Sequence, residues 1–332
     1  MGDENSSNLK ALEALLDEFF SPSTTNTRKS EIEKILSNFS GQATAWKDCL
    51  YFLTNTSNHY VCMFSLTTLE TCIQQRWVGM LGGDKAEVRT SLNTFLYQHH
   101  ASMPIFIRNK LVKLIVDIAR SDWPHFYPEF FTQILSLVTP ATLASSPASV
   151  QLGLTLLLTA SEELATPRQN IASSRAAELS RLMVRQVGHV TTALVTLLEL
   201  GLERDPKSAL RTPPPSPSVS ADSEDSNSME APLVLHTALA APSAQATPSP
   251  GPSLEPGTRE VAELSLRCLG HIFTWCSPSL CVSSRLINVL FQYAALETKS
   301  LVSYWNILND IVSQLNIFRP RMIRAESCQC RP

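Results

Sequence analysis

The side chains that could hold a metal ion fall into two small groups. His99 and His100 are adjacent, so on a helix they point about 100° apart and cannot easily face one metal ion. Asp122, His125 and Glu129 form a second group, but no further cluster completes a tetrahedral set of ligands. We assign these residues a structural role and predict no metal site and no bound cofactor.

Motifs of nucleophilic and phosphate-binding enzymes do not occur in the sequence. It contains no GxSxG and no HExxH, and none of its 11 glycines forms a phosphate-binding loop after a strand-like run. The eight cysteines include no CxxC pair, and Cys49, Cys62 and Cys72 lie among apolar residues, where a thiol usually acts as a small buried hydrophobic group. We therefore predict that the chain is not an enzyme and that its cysteines suit a reducing compartment.

The segment 104–120, PIFIRNKLVKLIVDIAR, combines an apolar stripe with a row of charges. The stripe consists of Ile107, Leu111, Leu114, Ile115 and Ile118. The charge row consists of Lys110, Lys113, Asp117 and Arg120. Their spacing allows Asp117 to pair with both Lys113 and Arg120. We predict an exposed row that is either a simple solvated face or a surface that contacts a polar protein partner.

A second helix, predicted from His59 to Trp77, carries aromatic residues away from its core. Its core-facing stripe consists of Cys62, Leu66, Leu69 and Ile73. Tyr60 and Phe64 fall on the opposite side, together with Thr67 and Thr71. These two aromatic side chains need a second apolar surface, which is supplied either by a neighbouring helix or by a protein partner.

Charge and hydropathy disfavour nucleic acid and membrane as partners. The chain has 27 Lys and Arg against 30 Asp and Glu, with no dense basic run, so it lacks the electrostatic signature of nucleic-acid binding. Residues 130–161 carry no charged side chain, and this length raises the question of a membrane span. Because Pro140 and Pro147 divide the stretch, we predict two buried helices and no membrane insertion.

The helical pattern repeats along the chain. Pairs of predicted helices begin near Leu9, Ala43, Lys85 and Phe126, so successive pairs start about 34 to 42 residues apart, a spacing typical of HEAT and armadillo repeats. Such repeats bury their apolar faces by stacking on their neighbours. We predict an all-α fold, a HEAT-type solenoid of stacked antiparallel helix pairs interrupted by a disordered insertion.

The predicted insertion spans residues 205–258. It holds 11 of the 21 prolines and no Phe, Trp or Tyr, a composition typical of an unstructured loop. We expect it to interrupt one repeat; the alternative is a linker between two domains. Four hydroxyl residues precede prolines here and suit proline-directed phosphorylation, although such pairs are common in any proline-rich tract: Thr212, Ser216, Thr247 and Ser249.

Several of these segments together resemble a known family. LEALLDEFF, EIEKILSNF, AWKDCLYFL, HYVCMFSLTTLE and FIRNKLVKLIVDIARSDWPHFYPEFFTQIL resemble, in this order and spacing, the N-terminal repeats of the importin-beta superfamily, or karyopherins, in their exportin version. SEELATPR, a following long helix, the TPPPSPS tract and a resumed helical segment are similar to the exportins that carry actin–profilin. The resemblance runs from about Leu9 to Ala294 and is strongest up to Val138.

This resemblance implies a nuclear export receptor. Its N-terminal repeats would bind the small GTPase Ran in the GTP form, cooperatively with actin–profilin cargo, and release both after GTP hydrolysis in the cytoplasm. It also implies contact with nuclear pore proteins and shuttling between nucleus and cytoplasm. The resemblance places a Ran-facing surface, as a region and not as an invariant residue set, on the two helices that carry Tyr60, Phe64, Lys110, Lys113, Asp117 and Arg120.

The expected domain organisation follows from the repeats and the resemblance. The Ran-binding HEAT repeats span 8–138, further helical repeats 139–204, the loop 205–258, a helical continuation 259–318 and a tail 319–332. The family pattern ends near Glu297, and the sequence closes with RMIRAESCQCRP, so we expect a truncated form or an alternative end. The alternative function is a transport-incompetent helical scaffold, or a competitor that retains only the fold.

Overall fold

The computed structural model describes residues 2–166, 171–203 and 256–294, and within them the chain forms helices and no strand. The α-helices are α1 (Gly2–Phe20), α2 (Asn26–Ser40), α3 (Ala45–Asn55), α4 (His59–Arg76), α5 (Gly82–His99), α6 (Ile105–Asp122), α7 (Phe130–Leu137), α8 (Pro140–Ser145), α9 (Pro147–Ala160), α10 (Ser173–Glu203), α11 (Pro256–Trp275), α12 (Pro278–Cys281) and α13 (Ser284–Ala294). A 3₁₀ turn, Trp77–Gly79, follows α4. Residues 204–255, with all four phosphorylation candidates, and residues 295–332 lie outside the described residues.

Polar caps at turns set where several of these helices begin. The side chain of Asn58 accepts a hydrogen bond from the Tyr60 backbone N–H at 2.9 Å, and Thr25 accepts one from Arg28 at the start of α2. Each such bond satisfies a backbone donor that has no partner within its own helix. The short polar turns of the sequence thus divide it into the helices that the apolar spacing predicts.

The helices form stacked pairs, which confirms the predicted solenoid. α3 packs on α4, α5 on α6, α7 on α9, and α10 on α11, while α4, α6, α9 and α11 lie side by side in that order. α1 packs across α2, α3 and α4 and covers the first repeat. Because α11 contacts both α9 and α10, it occupies the place of the second helix in the repeat that residues 204–255 interrupt.

One apolar core passes from repeat to repeat. The main cluster of buried side chains extends without interruption from Trp46 in α3 to Tyr293 in α13, and a smaller cluster lies beneath α1. All five residues of the predicted α6 stripe are buried, as are the four of α4: Ile107, Leu111, Leu114, Ile115 and Ile118, with Cys62, Leu66, Leu69 and Ile73. Each repeat therefore depends on its neighbours for burial, as in other stacked-repeat proteins.

The uncharged stretch 130–161 forms three helices, so the prediction of two was wrong. Thr139 and Ser146 each cap a new helix with their side-chain hydroxyl, and the proline that follows each of them occupies the first turn of that helix. Proline is tolerated in a first turn because its missing N–H would have no helical partner there. Among the helices of the described residues, none combines the length and apolar character needed to cross a bilayer.

A π-helical turn, Ser161–Ala165, continues α9. Ser161 anchors it, because its hydroxyl accepts a hydrogen bond from Trp275 Nε1 at 2.9 Å and lies 2.8 Å from His271 Nδ1. π turns widen a helix by one residue and often mark functional positions. This turn brings Glu163 against α6, where it meets the predicted charge row.

Candidate protein-binding surface

The six predicted surface residues lie on two adjacent helices, α4 and α6. We call this set the α4–α6 surface; it consists of Tyr60, Phe64, Lys110, Lys113, Asp117 and Arg120. An ion pair joins the two helices directly, because Lys110 Nζ donates a hydrogen bond to Glu70 Oε2. Among the six residues, ion pairs join Lys113 and Arg120 to Asp117. The rings of Tyr60 and Phe64 instead contact Phe20 of α1 and Phe39 of α2.

The two aromatic residues of this surface find apolar neighbours within the chain. The Tyr60 ring stacks on Phe20 of α1, with centroids 4.1 Å apart, yet 47% of Tyr60 stays exposed. The Phe64 ring is half-buried and lies 5.9 Å from the ring of Phe39 in α2. Neighbouring helices thus provide the second surface for both residues, and Tyr60 keeps an exposed face.

Asp117 corrects the prediction of an exposed charge row. It is only 1% exposed, and its Oδ1 atom lies 2.8 Å from Lys113 Nζ and 3.1 Å from Arg120 Nη2. The predicted pairing is confirmed, but the predicted exposure of Asp117 is wrong. Glu163 of the π turn lies 3.1 Å from Lys113 and 3.6 Å from Arg120, so two acids and two bases from two elements form one network.

Asp117 is buried because of the position of α6 in the stack of helices. α6 packs against α4, α5, α9 and the π turn, which leaves only a narrow strip of the helix in solvent. Asp117 Oδ2 is buried and accepts no hydrogen bond from the described residues. Helical spacing within α6 predicts the ion pairs of that helix, but it does not show which distant elements pack against α6.

Sequence reasoning missed an exposed apolar edge beside this surface. Phe20 ends α1, and Ile105 and Phe106 begin α6; each is at least half exposed. The His59 ring at the start of α4 lies 6.4 Å from the Phe106 ring in an edge-to-face arrangement. The signal was present in the sequence, because Phe106 falls outside the apolar stripe of α6. Together with Tyr60, these residues line one edge of the first three repeats.

Two of the residues first considered for metal binding, Asp122 and His125, have structural partners. Asp122 is buried and accepts a hydrogen bond from Trp77 Nε1 at 3.0 Å, while Arg89 lies 3.7 Å from its other oxygen. His125 Nε2 lies 3.0 Å from Glu178 Oε1 in α10. No group of three or more His, Cys, Asp and Glu within the described residues could hold a metal ion.

The buried thiols are poor nucleophiles near neutral pH. Desolvation by burial raises the pKa of Cys49 to about 12 and that of Cys268 to about 12. Thiol chemistry needs the thiolate, and these side chains remain protonated at neutral pH. Cys49, Cys62 and Cys72, which the sequence places among apolar residues, are therefore core side chains.

Comparison with known proteins gives two family matches that overlap in α6. Residues 32–117 match the model of the importin-beta N-terminal domain, and residues 104–304 match the model of exportin 1-like protein. Among individual proteins, the chain is 43% identical over 295 residues to exportin-6 of Mus musculus and equally to that of Homo sapiens, covering 89% of this chain and 25% of each relative. It is 23% identical over 318 residues to exportin-6 of Dictyostelium discoideum, covering 92% of this chain and 27% of the relative. The chain thus spans about a quarter of the length of these curated relatives.

Proposed function

The chain belongs to the exportin family of importin-beta-type nuclear transport receptors, and from that membership we propose that it carries the Ran-binding repeats of a nuclear export receptor. The observation that carries this proposal is the match to the importin-beta N-terminal domain over residues 32–117. That range includes all of α4 and most of α6, and therefore the helices on which the α4–α6 surface lies.

The proposed partner of the α4–α6 surface is Ran in its GTP form. The exposed face of Tyr60 offers an aromatic anchor of the kind that dominates protein interfaces. Lys110, Lys113 and Arg120 keep part of their side chains in solvent, and the same acids that pair with them fix their orientation. A surface that is already ordered loses less conformational entropy on binding than a flexible one.

The proposed cargo is actin–profilin, which the likeness to exportin-6 suggests. Ran and cargo would each raise the affinity of the other, since coupling between two binding sites is reciprocal. GTP hydrolysis on Ran in the cytoplasm would then release both. The receptor would contact nuclear pore proteins and shuttle between nucleus and cytoplasm. Its binding and release of partners would involve no catalysis by the chain itself.

A second candidate function follows from the coverage of the relatives. Because the chain spans about a quarter of their length, it could act as a scaffold or competitor that keeps the fold without supporting export. The two functions differ in coupling. An export receptor binds Ran–GTP more tightly when actin–profilin is present. A competitor or scaffold either binds Ran with an affinity that cargo does not change or does not bind Ran.

Replacing Tyr60 with alanine should weaken binding of Ran loaded with a non-hydrolysable GTP analogue by about tenfold. Truncation of an aromatic anchor at an interface typically costs one to two kcal/mol or more, about a factor of ten in Kd. Tyr60 is preferable to the lysines for this test, because Lys110 and Lys113 hold ion pairs with Glu70, Asp117 and Glu163. Their charge reversal would also disturb the fold.

Phe126→Ala is the matched control for this experiment. Phe126 is 72% exposed in the loop after α6, so its truncation removes a similar aromatic ring from outside the α4–α6 surface. Isothermal titration calorimetry should show Kd raised by Tyr60→Ala and unchanged by Phe126→Ala. Equal Kd values for the wild type and Tyr60→Ala would contradict the placement of Ran on this surface.

A further inference from the structure

Two buried cysteines lie at the turn between α11 and α12. Cys276 follows the last residue of α11, and Cys281 is the last residue of α12. Both thiols donate weak hydrogen bonds to the same acceptor, the Ser277 carbonyl oxygen. The sulfur–oxygen distances are 3.7 Å for Cys276 and 3.6 Å for Cys281. The fold therefore brings both sulfur atoms to one point of the backbone.

The two thiols also contact each other. Burial raises the pKa of Cys281, and a side-chain hydrogen bond with Cys276 raises it further. Both effects keep the Cys281 thiol protonated at neutral pH, so its thiolate, the form that reacts with oxidants, is scarce there. Protonation slows the reaction of such a pair but does not separate the two sulfur atoms. Cys276 and Cys281 are thus placed for reaction with each other.

A cleft at the surface reaches Cys281. It has a volume of about 220 Å³ and lies between α10 and the segment that joins α12 to α13. Its lining includes Thr191, Thr192, Cys281, Ser283 and Arg285. A water molecule in the liquid occupies about 30 Å³, so the cleft has room for an oxidant as small as hydrogen peroxide. Such an oxidant would meet Cys281 before Cys276, which does not line the cleft.

We propose that Cys276 and Cys281 are a redox modification site that hydrogen peroxide converts into a reversible disulfide. The Cys281 thiolate attacks one peroxide oxygen and the O–O bond breaks, which gives a sulfenic acid and a hydroxide that takes up the thiol proton as water. The Cys276 sulfur then attacks the Cys281 sulfur, and the hydroxyl leaves with the Cys276 proton as a second water. The two thiols lose two electrons in total, and the peroxide gains them.

The disulfide would tie the end of α11 to the end of α12. Both α11 and α12 pack on α10, as does α13, so the bond would hold the turn that connects these helices. A cross-link restricts the unfolded chain more than the folded one, and the oxidised turn should therefore open less readily than the reduced turn. The site lies on helices other than those of the α4–α6 surface, and it does not depend on the proposed function.

Mass spectrometry of the full chain tests the proposal. The folded chain is treated with hydrogen peroxide, the remaining thiols are blocked with N-ethylmaleimide in denaturant, and the chain is digested with trypsin. Cleavage after Arg267 and Arg285 releases the peptide CLGHIFTWCSPSLCVSSR, which contains Cys268, Cys276 and Cys281. After peroxide treatment, this peptide should carry one N-ethylmaleimide group, on Cys268, and an internal disulfide. Treatment with dithiothreitol before blocking should restore all three labelled thiols.

Cys268→Ser is the matched control. Cys268 is buried in α11 and lies in the same tryptic peptide, but its sulfur donates a hydrogen bond to the Leu154 carbonyl oxygen of α9 at 3.4 Å. Its replacement should leave the amount of disulfide unchanged. Cys276→Ser and Cys281→Ser should each lower the amount of disulfide in this peptide by at least about tenfold, because a single remaining thiol of the pair has no partner. Circular dichroism confirms that each variant is folded.

Any of three results would overturn the proposal. The first is a wild-type peptide that keeps three labelled thiols after peroxide treatment. The second is oxidation of Cys281 to sulfinic acid without a bond to Cys276, which would mean that the second thiol cannot reach the first. The third is loss of the disulfide in Cys268→Ser, which would make Cys268 one of the bonded residues. These outcomes concern thiol chemistry alone, so they are separate from the result of the Ran experiment.

Discussion

Asp117→Ala is expected to lower the free energy of unfolding by about 3 kcal/mol, the low end of the loss seen when one partner of a buried ion pair is removed. Asp117 is buried and holds Lys113 and Arg120 at the same oxygen. Without it, Glu163 is the only acidic partner that these two cations keep within the described residues. Their partial exposure to solvent limits the loss, which is why the low end of the range applies.

Urea unfolding followed by circular dichroism measures this loss. Asp117→Asn should lose less than Asp117→Ala, because the amide keeps the shape and one oxygen that accepts hydrogen bonds from Lys113 and Arg120. Glu33→Ala provides the control, since Glu33 is exposed on α2 and its removal should change the free energy of unfolding by less than about 0.5 kcal/mol. If Asp117→Ala and Glu33→Ala gave the same unfolding midpoint, the network would have no structural role.

Two glycine-to-alanine substitutions should change stability in opposite directions. A Cβ atom at Gly153 would lie 2.8 Å from Leu137 Cβ and 2.8 Å from Val138 Cγ2, whereas a Cβ atom at Gly188 would meet no atom within 4 Å. Gly153→Ala should therefore cost about 2 kcal/mol, because α9 must move away from α7 in a packed core. Gly188→Ala should gain up to about 1 kcal/mol, because alanine favours the helical conformation of α10.

The two glycine variants serve as controls for each other. Both add one methyl group to a helix, so the intrinsic helix propensity of alanine acts on both in the same direction. Differences in the urea midpoint then report the contact between α7 and α9 alone. A gain in stability for Gly153→Ala would show that the helices have space for a methyl group and that the close approach at Gly153 is not required.

The sequence predicts the repeats well because each is encoded locally. The stripe that includes Ile107 and Leu111 lies on a single helix, and its 3.6-residue period is visible without knowledge of the neighbours. The starts of helices are also predicted by local sequence, since an Asn or Thr cap is recognised from a few neighbouring residues. The one error of this kind, two helices predicted where three form, comes from a proline that begins a helix as readily as it ends one.

The candidate site could be predicted only as far as its own helices extend. The pairing of Lys113 with Asp117 lies within one turn and was predictable. The charge network around Asp117 also includes Glu163 of the π turn, which lies 46 residues further along the chain. The groove lined by Arg108 of α6 and Glu263 of α11 depends on an even more distant neighbour, because it forms only where α9 packs against both α6 and α11. Such long-range contacts leave no periodic signal in the sequence.

The central claim is that this chain carries a Ran-binding surface that recognises the GTP form. The most direct measurement is the affinity of the purified chain for Ran loaded with a non-hydrolysable GTP analogue and, separately, with GDP, each with and without actin–profilin. The claim predicts binding to the GTP-analogue form, no measurable binding to the GDP form, and tighter binding when actin–profilin is present. Equal affinity for both nucleotide forms, or no binding to either, would contradict it.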